Sequence, residues 1–559
     1  MVKKILLFVS KEISGLHEAA YLLALSSVAS LVFAVIRDRL LAHVLGAGTE
    51  LDVYYAAFRI PDFIFVTVAS LVSTSILVPF LVEAKQKGVE SLKESIQHLF
   101  SSFLVLIVVV CAVAAIFMEP LQKFLFPALF DAGYGDVLVS TSRVLLLSPI
   151  LLGFSSFFAS LTQIQNRFLL YAISSPLYNI GIIAGIIFFL PRWGVQGLAW
   201  GVACGALLLS LSQIPVVIKD GLFPRIRFVF AWSKIKNIAL LSIPRTVTLS
   251  SQQCTYIALV SFASFLGAGS ISIFNFALNL QSVPLSIIGA SYSSAAFPVL
   301  ARLFSEKNTH VFTQKMVSAA RHVIFWAIPL SVLFIVLRAQ IVRTVLGSGE
   351  FSWSDTRLTA AALALFVVSA FAQSLTLLFV RSFYAEGKTA KPLLMNVASM
   401  IATIVLAFFL LSMFNQYDFF KYFVTALMKT SGSGDSSVLM LPLAFSVGAF
   451  LNLLLHWVSF SRAHAGFSGS VLKSFFHTAG ASIIGGYTAY LSLDVFDDIF
   501  NLSTVAGVFL QGLLAGIVGT IIIIGVLYVL KSVELRDVLE TLHRKIWKVD
   551  RSSLDQLPS

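Results

Sequence analysis

The sequence predicts an all-α polytopic membrane protein with about 14 transmembrane helices, set out as two parallel six-helix lobes plus two C-terminal helices. Three observations carry this. Of the 559 residues 58% are apolar and 12% carry a formal charge, where soluble domains hold about 25% charged residues. The apolar residues fall in runs of spanning length, broken by Gly, Pro or clustered charge. Lys and Arg gather in every second connection between those runs.

The first run begins after Lys3, Lys4 and Lys11 and continues without a small-residue cleavage site, so it is expected to stay in the mature protein as the first span. Successive spans are predicted near 15-44, 54-83, 96-118, 137-163, 168-190, 195-218, 237-265, 270-301, 316-337, 358-384, 392-413, 437-460, 471-493 and 504-530. Pro61, Pro149, Pro176, Pro244, Pro284 and Pro329 predict kinks or tilts, tolerated where neighbouring helices satisfy the freed carbonyls. The divisions expected are an N-terminal lobe (1-222), an amphipathic cytoplasmic linker (223-236), a C-terminal lobe (237-460), the last two spans (461-531) and a tail (532-559). In the tail, Leu535, Val538, Leu539, Leu542 and Ile546 form one stripe, with Arg536, Arg544, Lys545 and Lys548 elsewhere. Such a basic amphipathic helix either lies on the inner leaflet or caps the bundle. The stretch Thr430 to Ser437 reads as a flexible outer loop.

Connections after even-numbered spans hold fifteen Lys and Arg, with Arg321, Arg381 and Lys473 in the span ends beside them, and those after odd-numbered spans hold seven. This places both termini in the cytoplasm and requires an even number of spans. Leu45-Gly46-Ala47-Gly48 followed by Tyr55-Ala56-Ala57-Phe58 recurs 221 residues later as Leu266-Gly267-Ala268-Gly269 followed by Phe276-Ala277-Leu278. Pro176-Leu-Tyr-Asn179 has a looser echo in Pro392-Leu-Leu-Met-Asn396. Copies six spans apart point the same way through the membrane, and duplication of this kind is the usual origin of transporters.

Several chemistries are excluded by pattern. The basic residues lie scattered between apolar segments and form no stripe for nucleic acid. Cys111, Cys204 and Cys254 sit inside apolar runs at spacings suited neither to a metal nor to disulfides. No GxxxxGK[ST], HExxH or GxSxG motif is present, so no catalytic residue, metal ligand or cofactor is expected. Transport would run on an ion gradient, substrate removal or the membrane potential, worth about 2.3 kcal/mol per charge per 100 mV.

The candidate site residues are polar groups inside the spans. Ser26, Ser30 and Arg37 share a helical face, and Asp52 and Arg59 lie two turns apart. They either line a charged pathway or form the outer end of the first hairpin, with Arg39, His43 and Glu50 the best fit to the second reading. Arg245, Thr248 and Gln252 share a face of the seventh span, and Asn275, Asn279, Ser282 and Ser286 one of the eighth. Arg245, with no acidic neighbour in sequence, suits an anionic ligand group or snorkels toward the cytoplasmic surface. The amides either contact ligand or bond helix to helix.

The run Arg37-Asp38-Arg39 through Gly46-Ala47-Gly48 to Asp52, then Ala56-Ala57-Phe58-Arg59-Ile60-Pro61, resembles the first two helices of the MurJ (MviN) lipid II flippases, within the multidrug and polysaccharide exporter superfamily. Ile341-Val342-Arg343 to Gly347-Ser-Gly349-Glu-Phe351, continuing to Arg381-Ser-Phe383-Tyr384-Ala385 and Lys391-Pro392, resembles that family's ninth-to-tenth connection and tenth helix. The resemblance implies two lobes opening alternately outward and inward, a cationic cavity for pyrophosphate and sugars, and a groove by the last two helices for the polyprenyl tail. It matches Arg37 and Asp52 to family residues. Three family arginines fall at Leu31, Phe65 and Asn279, and Arg59 and Arg245 are the candidates to replace them.

The function expected is a flippase for a lipid-linked oligosaccharide, foremost the peptidoglycan precursor lipid II, in the bacterial inner membrane. Arg37, Arg59 and Arg245 would hold the pyrophosphate, Asp52 would pair with a cation or gate the lobes, and Gln252, Asn275 and Asn279 would meet the sugars. Membrane lipids and a coupling cation complete the expected partners, and the expected state is a monomer. Two alternatives stay open: a cation-coupled exporter of small amphipathic molecules, and a non-transporting scaffold for cell-wall enzymes.

Overall fold

Every span that the apolar runs predict is helical over its described residues. The computed structural model describes residues 16–69, 74–165, 168–224 and 232–546, without the side chains of 16–25, 69, 74–76, 78–80, 168–175, 232–245, 542 and 544–546. The N-terminal lysines, residues 225–231 of the expected linker and the tail from 547 lie outside the described residues. Ten helical stretches among the described residues are long and apolar enough to cross a membrane by length and composition: Val89–Ile116, Gly135–Ile164, Pro176–Trp193, Val195–Lys219, Ser270–Ser305, Thr309–Val336, Trp353–Ala385, Ala390–Gln416, Ser436–Ala463 and Val505–Val529. The other predicted spans are also helical. Leu16–Leu45 covers the first, Thr49–Ala57, Arg59–Ala69 and Thr74–Gln86 the second, Trp232–Ser264 the seventh and Phe467–Asp497 the thirteenth. The first, second and seventh hold the charged candidates, and the thirteenth is rich in Ser, Thr and Gly.

The prolines divide between first turns and helix interiors, Pro176 and Pro329 being interior. Pro61 and Pro149 fall in the first turn of Arg59–Ala69 and Leu147–Ile164, where a missing N–H breaks no helical bond. Pro284 ends Ser270–Pro284, and the chain widens there into a π-helical segment, Leu285–Ala290. A second such segment, Gly185–Phe189, follows the Pro176-containing helix Phe168–Ala184. Widened turns of this kind relieve a strained hydrogen-bond ladder and cluster at functional sites.

Glycine sets the closest helix contact. Gly181 and Gly185 face Gly197, Gly201 and Gly205 of Val195–Lys219. A Cβ added at Gly181 would stand 2.1 Å from the Gly205 Cα, and one at Gly185 would stand 2.6 Å from the Gly201 Cα. The spacing of four is the small-residue pattern that lets two membrane helices touch through their backbones.

The chain divides into two compact units. One comprises Met1–Phe276, Val345–Leu358 and Asn396–Leu441, the other Ala277–Thr344, Thr359–Met395 and Pro442–Ser559. The first has a core around Leu81, Ile107, Met118, Phe157 and Leu161. The second is built around Phe312, Met316, Phe379, Phe383 and Phe460, with a smaller cluster of Phe325, Ala481, Ile523, Leu527 and Leu535. Leu535 brings in the tail: helix Val533–Ile546 packs Leu535 and Val538 on that cluster and leaves Leu539 exposed. Glu534, buried at the start of this helix, accepts from Arg321 at 2.5 Å and from the Ser532 hydroxyl at 2.6 Å.

Candidate functional site

Within the first unit the polar residues of the first two spans collect in three places. On Leu16–Leu45, the half-buried Arg37 donates through Nε to Asp38 at 2.9 Å and through Nη1 to Asn179 Oδ1 at 3.0 Å. The Asn179 amide donates in turn to the Ser30 carbonyl oxygen at 3.3 Å. Ser30 and Arg37, placed on one face by their spacing, are thus joined through a side chain of another helix. A cation half out of water is held by a carboxylate and a neutral amide, which leaves it oriented as well as charged.

Arg59 lies deeper, 7% exposed at the start of Arg59–Ala69. It donates through Nη2 to Asn275 Oδ1, and the Asn275 amide donates to the Ile271 carbonyl at 2.7 Å. Its buried Nε donates to nothing among the described residues. A guanidinium brings five donors to whatever it meets, so one is unspent on a cation that burial makes costly.

Asp52 occupies the third place, 4% exposed. Oδ2 accepts from the Gly269 N–H at 2.7 Å, and Oδ1 accepts from the Ser272 N–H at 2.7 Å and its hydroxyl at 2.6 Å. These N–H groups open the Ser270–Pro284 helix, whose first donors have no intrahelical partner. Asp52 therefore caps a helix more than two hundred residues away, with its carboxyl group at the positive end of the helix dipole.

The two copies of the Leu-Gly-Ala-Gly turn meet here. Gly269, at φ +87°, comes so close to Ala47 that a Cβ would stand 2.0 Å from the Ala47 carbonyl oxygen. The ninth-to-tenth connection closes on the same spot. Glu350 N–H donates to the His43 carbonyl at 3.0 Å, and Gly349, at φ +60°, leaves no room for a Cβ against His43. Phe276 stacks edge-on with both Tyr55 and Phe351. Residues from separate stretches of the family resemblance thus form one packed junction. Arg39 and His43 serve it as structural groups, Arg39 through a 3.5 Å contact to the Val345 carbonyl.

The remaining candidates are dispersed. Gln252 is exposed and donates to the Tyr256 hydroxyl at 2.9 Å. Asn279 is half-buried one turn beyond Asn275. Arg245 lies on the Trp232–Ser264 helix, with its side chain outside the described residues. Leu31 and Phe65 are half-buried, and neither brings a charge to its position. Sequence reasoning missed the part played by Asn179, whose echo at Asn396 was its one signal, and by Ser272, which carried none. Among the described residues no group of His, Cys, Asp or Glu is arranged to hold a metal ion.

Apolar spans in an all-helical chain, with Arg59 buried among them, define a polytopic membrane protein, and solved structures agree on the fold. An inward closed lipid II flippase MurJ superposes with a TM-score of 0.70 at 21% identity, covering 93% of this chain and all of that one. An inward-facing multidrug resistance MATE transporter of the MOP superfamily gives 0.62 at 14% identity, covering 79% and 96%. Residues 41–420 match the family model for lipid II flippase MurJ. The chain belongs to that family, one of transporters and not of enzymes. Among its relatives, the lipid II flippase MurJ of Burkholderia cenocepacia is 24% identical over 382 residues, 67% of this chain and 74% of the relative. The probable lipid II flippase MurJ of Thermotoga maritima is 23% identical over 490 residues, 86% of this chain and 97% of the relative.

Proposed function

We propose that this chain moves lipid II across the bacterial inner membrane by alternating access between the 1–222 and 237–460 lobes, with both termini in the cytoplasm. Arg37, Arg59 and Arg245 hold the pyrophosphate, and Gln252, Asn275 and Asn279 meet the sugars. Asp52 acts on the second copy of the repeat by fixing the start of the helix that carries both asparagines. The observation that carries this reading is Arg59: a buried guanidinium with an unspent Nε donor, held by an asparagine, is suited to a doubly anionic group and poorly suited to packing alone.

The three hydrogen bonds that Asp52 accepts weigh against the exporter reading, which needs a carboxylate free to bind a cation. The test is to express the chain in cells depleted of their own lipid II flippase, following growth and outward-facing lipid II. Rescue that is lost in Arg37→Ala and in Arg59→Ala is the expected result. Failure to rescue, with the protein present in the membrane, moves the substrate to another lipid-linked glycan.

A further inference from the structure

The second unit holds a cavity of about 570 Å³ that the transport reading does not use. One wall is a face of the Ser291–Ser305 helix, where Tyr292, Ala296 and Val299 follow each other at helical spacing. The Thr309–Val336 helix supplies Lys315 and His322, two turns or about 10 Å apart along its axis. The tail helix Val533–Ile546 closes the third side with Asp537.

The charges are few and separated. Lys315 is exposed and makes no hydrogen bond or ion pair among the described residues. Among the described residues the Asp537 side chain has only a long contact of 3.9 Å to the His322 imidazole. The cavity thus offers one cation at one end, one carboxylate at the other, and a largely apolar wall between them. Filled with water alone it would take roughly twenty molecules, few of them with the two to four polar partners that ordered water needs. The Ser291–Ser305 wall belongs to a stretch apolar enough to cross the membrane, and Val299 is 37% exposed, so the cavity opens beside the lipid.

We propose that this cavity binds the headgroup and upper chain of an aminophospholipid from the adjoining leaflet. Lys315 takes the phosphate, Asp537 takes the primary ammonium, and the Tyr292, Ala296 and Val299 wall covers the glycerol and first methylenes. A zwitterion matches this charge pair. An anionic glycerol headgroup leaves Asp537 without a cation, and a quaternary choline brings Asp537 no N–H donor. The bound lipid touches both the bundle and the tail helix, so its presence fixes the tail against the bundle independently of the Arg321–Glu534 pair. This inference stands apart from the identity of the transported substrate.

The test uses the purified full chain in detergent, titrated with dipalmitoyl phosphatidylethanolamine and read by native mass spectrometry against phosphatidylglycerol and phosphatidylcholine of the same chains. The expected result is tighter binding of phosphatidylethanolamine by roughly two- to fivefold, as one extra partly exposed ion pair gives. Lys315→Glu and Asp537→Lys, both at exposed positions, each remove that preference while the melting temperature stays unchanged. Ala296→Trp, which fills the cavity, lowers the binding of every lipid. Soluble phosphoethanolamine at equal concentration displaces nothing. Equal binding of the three lipids, a preference that survives both charge reversals, or displacement by phosphoethanolamine would overturn the proposal.

Discussion

Replacing Asp52 by alanine strips three donors of their acceptor at once: Gly269 N–H, Ser272 N–H and the Ser272 hydroxyl. Hydrogen bonds to a charged acceptor contribute about 1.5–3 kcal/mol each, and loss of an N-cap alone costs about 0.5–2 kcal/mol. The three bonds share one carboxylate whose own burial is costly, so they do not add, and about 3 kcal/mol is the local figure expected. At 1.4 kcal/mol per factor of ten, amide exchange at Gly269 and Ser272 should quicken by roughly a hundredfold. Hydrogen–deuterium exchange on peptides covering 265–276 reads this directly, with the Phe467–Asp497 helix as an internal control. Asp52→Asn should fall between, since its oxygen still serves Ser272 while its NH2 confronts the Gly269 N–H. Unchanged protection at Gly269 and Ser272 in Asp52→Ala would show that the helix start does not depend on this carboxylate.

Further outcomes follow from the same contacts. Gly269→Ala meets both a left-handed φ and the Ala47 carbonyl, and should cost about 3 kcal/mol or more, visible as a lowered melting temperature and poor recovery from the membrane. Arg59→Ala should reduce lipid II externalisation at least about tenfold, the equivalent of one charge-assisted hydrogen bond, and Arg59→Lys should restore it only in part because an ammonium lacks the guanidinium fork. Burial works to raise the Glu534 pKa, but hydrogen bonds from Ser532 and Arg321 outweigh it and hold the carboxyl below its usual range. Its contribution to tail docking is therefore full above the unfolded value near about 4.3, and is lost as pH falls through the lower folded value. Proteolysis of the tail measured against pH should show release at the acid end, and Glu534→Gln should remove that dependence.

Helix positions were legible because their cause is local. A run of twenty apolar residues has few options in lipid, and the first-turn prolines and the glycine turns obey rules that act within a few residues. The two Leu-Gly-Ala-Gly copies turn at different places, the first at its second residue, Gly46, and the second at its fourth, Gly269. Partnerships were not. Asp52 reads in sequence as an acid after a turn, and its partners lie at Gly269 and Ser272, where nothing in the intervening chain signals them. Arg37 reads as one charge among several, and only the fold shows that Asn179 ties it to Ser30. The widened turn after Pro284 was foreseeable as a kink, but its π-helical form depends on how the freed carbonyls find new partners.

The seam of five glycines between the fifth and sixth spans has a mechanical meaning. Two rods held apart by long side chains can slide, because rotamers rearrange while they pass. Backbones seated in one another's grooves have no such lubricant: moving by a single residue would drive Cα into Cα. This pair is therefore expected to travel as one stiff beam through any transport cycle. Bending must then be taken up elsewhere, and substitution by even one methyl group along the seam would act as a wedge.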